Sequence, residues 1–90
     1  MSLKEKLESI ERECPFVPHT NAGRLYSTVR RMKMQEELDI PYEYRFSHAI
    51  FLKTRQRTYE LDKKNWDEFY CGLSAELKRD YPELYERIFL

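Results

Sequence analysis

Ninety residues contain only two glycines, Gly23 and Gly72. A sandwich of short strands needs a turn every ~8–12 residues, and glycine is the usual means of making one. Four prolines cannot make up that shortage, and 36% of the chain is charged. Dense charge with few breakers suits helices, whose outward faces carry charge and whose interiors disfavour glycine. The expectation is therefore an all-α fold, a small bundle of about four to five helices forming a single domain over residues 1–90.

Apolar spacing places these helices. Leu3, Leu7, Ile10 and Cys14 form one stripe, with Ser2 as cap, Glu5 completing a capping box and Pro15 as the stop. After a loop over 16–21, Thr20 or Asn21 caps a helix from Ala22 to about Leu38, with Leu25, Val29, Met32 and Glu36 on its stripe. Its bases Arg24, Arg30, Arg31 and Lys33 precede its acids Glu36, Glu37 and Asp39. That order opposes the helix dipole by ~0.3–1 kcal/mol per surface charge. Either the bases are placed for a partner, or the order carries no meaning.

Asp39-Ile40-Pro41 breaks the chain, and Pro41 suits the first turn of a following helix. Another helix is expected to start at Asn65, where Glu68 completes a capping box. Trp66, Phe69, Tyr70, Leu73 and Leu77 mark its apolar face, and Gly72 within it is expected to admit a second helix closely. Asp80 as cap and Pro82 open a last short helix bearing Leu84, Ile88 and Phe89. The apolar end Ile88-Phe89-Leu90 is expected to dock on the core or on a partner.

The stretch 42–61, YEYRFSHAIFLKTRQRTYEL, stands apart. Tyr42, Tyr44, Phe46, His48, Ile50 and Leu52 alternate with Glu43, Arg45, Ser47, Ala49, Phe51 and Lys53, the period of a strand. This supports an alternative class, α+β with a strand at 42–52. Its only pairing candidate is 54–61, and no Gly, Pro, Asn or Asp stands between to form the turn, so a helix is expected. Such a helix is apolar over a wide arc, which makes it either central to the core or the face that meets a second protein. The stretch is also locally basic: across 43–58, Arg45, Lys53, Arg55 and Arg57 outnumber Glu43.

These features bound the function. No run approaches the ~20 apolar residues of a membrane span, so no membrane role is expected. Without a leader, Cys14 and Cys71 read as reduced thiols of a cytoplasmic protein. Cys14, His19, His48 and Cys71 lack the tight spacing that pre-organises a metal site, so neither metal nor cofactor is expected. The chain has no nucleophile elbow or phosphate-cradling glycine loop, and it is not expected to be an enzyme.

Two binding readings remain. Tyr42, Tyr44, Phe46, His48, Phe51, Lys53, Arg55, Arg57 and Tyr59 supply the Tyr, Phe and Arg mix of protein interfaces. The same arc could instead be hidden in a homodimer. Arg30, Arg31, Lys53, Arg55 and Arg57 form the nucleic-acid alternative, although a net charge of zero argues against a dedicated nucleic-acid binder.

The run Phe46-Ser47-His48-Ala49-Ile50-Phe51-Leu52 resembles a segment of the anti-RecBCD protein family of lambdoid phages. The shared pattern is Phe, any residue, His, small, Ile, aromatic, Leu. The likeness continues at Leu61, Phe69, Leu77, Pro82 and Leu84, and upstream at Tyr26 and Met34, so that it covers about residues 24–85, mostly as apolar pattern. Glu68 stands where that family has a proline, so no role tied to that proline carries over. The resemblance implies a non-enzymatic phage protein that docks on a large host complex, RecBCD, near a DNA path and changes its nuclease activity during recombination.

Overall fold

The computed structural model describes residues 2–15, 19–45 and 63–90. Among the described residues there are four α-helices and no strand: α1 (Leu3–Glu13), α2 (Asn21–Glu37), α3 (Lys63–Asp80) and α4 (Pro82–Phe89). A 3-10 turn, Tyr42–Tyr44, follows α2. The small all-α bundle is the fold that the scarcity of glycine calls for.

The helix starts follow from side chains at their caps. Ser2 Oγ accepts the Glu5 N–H at 3.2 Å, and Thr20 Oγ1 accepts the Gly23 N–H at 2.9 Å. Each bond satisfies a donor that the helix itself cannot, a contribution of about 1 kcal/mol. Lys63 and Lys64 are already helical ahead of the expected start at Asn65, and Lys63 Nζ reaches Asp67 at 3.0 Å one turn on. α4 starts differently from expectation. The Asp80 carboxylate accepts from Arg79 Nε at 2.9 Å and Nη2 at 3.1 Å, and α4 has no side-chain cap. Pro82, with its fixed φ, sets the first turn instead.

α2 ends in a Schellman reversal. The Ile40 N–H donates to Gln35 O and the Asp39 N–H to Glu36 O, both at 3.1 Å, while Asp39 sits at φ 53°. Ile40 is fully buried and anchors the reversal. The chain then continues through Pro41, at ψ 140°, into the 3-10 turn, and Arg45 is extended at ψ 149°. Over 42–45 the expected helix is replaced by a short 3-10 turn, with Arg45 drawn back onto the end of α2, and residues 46–61 of that expected helix lie outside the described residues. Residues 46–52 of the alternative strand lie outside the described residues, and Tyr42–Tyr44 are not in a strand.

α2, α3 and α4 pack on one another, and α1 lies chiefly against α2. Glu36, near the end of α2, meets Trp66, near the start of α3, while Asn21 and Arg24 share a cavity with Glu76 and Asp80. The two long helices are thus antiparallel. Among the described residues, Ile10, Cys14, Val29, Met32, Ile40, Trp66 and Leu77 are the buried apolar ones. The stripes on α1 and α2 are only half used: Ile10, Cys14, Val29 and Met32 are buried, but Leu3, Leu7 and Leu25 are partly open.

Gly72 is exposed, and a methyl group there would meet nothing within 4 Å, so it admits no close helix. The apolar C-terminus docks in part. Phe89 meets Tyr70 of α3 with ring centroids 6.4 Å apart, whereas Leu90 is 94% exposed.

Candidate protein-docking surface

Three elements meet at Glu36. Arg45 Nη1 donates to Glu36 Oε1 at 2.6 Å, and the Trp66 indole N–H donates to the same oxygen. Arg45 Nε donates to the Ile40 carbonyl at 2.6 Å. The guanidinium lies 4.0 Å from the Tyr42 ring centroid and 4.8 Å from that of Trp66. Its side chain is only 3% exposed. A buried charge is tolerable only when paired and hydrogen-bonded, and here a carboxylate, a carbonyl and two aromatic faces all meet the guanidinium.

Sequence reading missed this hub. Arg45 counted as the polar partner in an alternating run, and Glu36 as part of a helix stripe. The available signal was an arginine directly after the Tyr42-Glu43-Tyr44 run that follows the helix-ending Asp39-Ile40-Pro41.

The hub fixes the 3-10 turn. Tyr42 is half-buried against Arg45, and Tyr44 points outward at 52% exposure. Tyr44 forms one wall of an open groove of about 680 Å³, whose floor is α1: Leu3, Lys4, Leu7, Glu8, Glu11 and Arg12. This surface is apolar in the middle and charged along its rim, the anatomy of a protein-binding patch.

Of the expected partner-binding residues, the structure thus places Tyr42 and Tyr44 side by side on one turn. Phe46, His48, Phe51, Lys53, Arg55, Arg57 and Tyr59 lie outside the described residues. Of the nucleic-acid set, Lys53, Arg55 and Arg57 also lie outside them, and Arg30 and Arg31 are separated. Arg30 is exposed, whereas Arg31 is buried and pairs with Glu11 of α1. Lys33 pairs with Glu37 one turn on. Part of the base-before-acid order of α2 is therefore explained within the molecule.

Among the described residues the two thiols and His19 do not converge on one site. Cys14 is buried at the end of α1, Cys71 and His19 are exposed, and His48 is outside the described residues. Among the described residues no three His, Cys, Asp or Glu side chains group as a metal site. Burial pushes the Cys14 thiol above its ordinary pKa, which disfavours the reactive thiolate. Burial, reinforced by the negative charges of Glu36 and Glu37, pushes the Tyr70 hydroxyl up to about 12. Among the described residues no helix is long and apolar enough to cross a membrane.

Compared with known proteins, the chain matches no family model, no curated protein and no solved structure.

Proposed function

We propose that this chain is a non-enzymatic interaction module that docks on a larger host protein and modulates it through the 42–59 stretch. The observation that carries this reading is Tyr44, 52% exposed on a turn whose next residue, Arg45, is buried and held by Glu36. A large ring on a fixed backbone loses little freedom when a partner covers it, and tyrosine is among the residues that most often anchor interfaces. The anchoring also holds both described flanks of the stretch. Arg45 precedes 46–62 and Trp66 follows it closely, and both bond to Glu36. The described residues on either side of the stretch are thus held at one place.

The resemblance over 24–85 makes RecBCD the first partner to test, with the chain encoded by a phage and acting in the host cytoplasm. Purified chain is titrated into RecBCD, and both binding and nuclease activity are measured. Binding together with altered activity supports the narrow reading. Binding to a different protein that requires Tyr44 keeps the interaction module and removes the RecBCD assignment. Retention of nothing from a bacterial lysate, with RecBCD activity unchanged, contradicts both.

A further inference from the structure

The open face of α1 is self-complementary. Ile10 and Cys14 of its stripe are buried in the fold, but Leu3 and Leu7 line the groove with Tyr44. Lys4, Glu8, Glu11 and Arg12 flank them. A two-fold axis passing between Leu7 and Glu8 maps this set of positions onto itself. Lys4 then faces Glu11 of the second copy, and Glu11 faces Lys4 of the second copy. Leu3 meets the aliphatic stem of Arg12, and beside the axis Leu7 meets the methylenes of Glu8. This is the pattern an isologous interface requires, in which one patch serves both copies.

We propose that this groove is closed by a second copy of the chain, through antiparallel pairing of the two α1 helices. The order of charges selects this occupant. A parallel pair would set Lys4 on Lys4 and Glu11 on Glu11, whereas the antiparallel pair makes two opposite-charge contacts. Glu11 already accepts from Arg31 through Oε1, and its second oxygen can accept Lys4. An eleven-residue helix is only about 16 Å long. That is small beside the roughly 800 Å² per partner of stable interfaces, so the dimer is weak, with Kd on the order of 0.1 mM. It covers Tyr44, so self-association and docking of a larger protein compete.

Sedimentation equilibrium of the full chain tests this from about 10 μM to 1 mM, a range that brackets that Kd. The expected mass rises toward twice the monomer. Lys4→Glu sets an acid against Glu11 at both ends and weakens the dimer about tenfold in low salt. At roughly 1 M salt that defect shrinks to about threefold or less, because exposed charges are screened. Glu11 is left unchanged because it also holds Arg31. Circular dichroism confirms that the variant stays folded. A monomeric mass at the highest concentration overturns the proposal, as does a dimer that Lys4→Glu leaves unchanged. Either outcome leaves the docking reading standing, since that reading is tested by loss of a different protein.

Discussion

Arg45 and Glu36 form an ion pair, Nη1 to Oε1 at 2.6 Å, and the same carboxylate oxygen accepts the Trp66 indole N–H. One side chain thereby holds the end of α2, the 3-10 turn and the start of α3. Arg45 is 3% exposed and Glu36 is 35% exposed at the side chain. Removing Glu36 strands a buried guanidinium, but water reaches the vacated side. Glu36→Ala is expected to cost about 2–3 kcal/mol, below the value for a fully buried pair. Glu36→Gln keeps an acceptor for Trp66 and costs about 1 kcal/mol less. Urea unfolding midpoints measure both, and a double-mutant cycle with Arg45→Met isolates the pair. An additive cycle would show that the pair is not coupled.

Asp39 occupies the left-handed position of the Schellman reversal at φ 53°, where glycine is free of the Cβ penalty. Its N–H bond to Glu36 O is made by the backbone, so substitution does not remove it. Asp39→Gly is expected to stabilise the chain by about 0.5–1 kcal/mol. That raises the thermal midpoint by roughly 2–8 °C in a domain of this size.

Gly72 lies inside α3 in open space. Gly72→Ala is expected to stabilise by about 0.5–1 kcal/mol through helix propensity alone. A loss of stability in thermal melts would mean that another surface approaches this position in solution.

Tyr70 gives the stability a dependence on alkaline pH. Its hydroxyl titrates at about 12 in the fold against 10.0 when free, chiefly because burial disfavours the phenolate. The unfolded chain therefore loses this proton first. The contribution is fully present below pH 10 and is lost as pH rises toward 12. Unfolding measured across that window should show a steeper fall for the parent than for Tyr70→Phe. Identical slopes would place Tyr70 in contact with solvent.

Much of the fold was legible because it depends on local chemistry. Ser2 and Thr20 are short polar caps before periodic apolar residues, and both make the bond that their position implies. Asp80 fails as a cap because it is still the last residue of α3 and Tyr81 takes the cap position of α4, a boundary that spacing does not reveal. Gly72 was assigned to a helix contact because glycine in an apolar face often marks one, yet it lies on the exposed side. The hub was hidden for a different reason. Glu36, Arg45 and Trp66 each belong to a different local pattern, and only the reversal at Asp39 and the antiparallel packing of α2 on α3 bring them together. Tyr44 belonged to the expected docking set, but the groove it forms with Leu3 and Leu7 could not be read, because those leucines share one stripe with the buried Ile10 and Cys14 and spacing does not tell which end of a stripe stays open.

The central claim is that Tyr44 presents a docking surface, and one comparison tests it most directly. The parent chain and Tyr44→Ala are immobilised at equal density, and their affinities for purified RecBCD and for any protein captured from bacterial lysate are measured side by side. Tyr44 is exposed, so both chains should unfold at nearly the same urea concentration. The account predicts a partner that binds the parent and binds Tyr44→Ala at least about tenfold more weakly, as an interface anchor requires. Equal affinity for the two chains, or no partner for either, would contradict it.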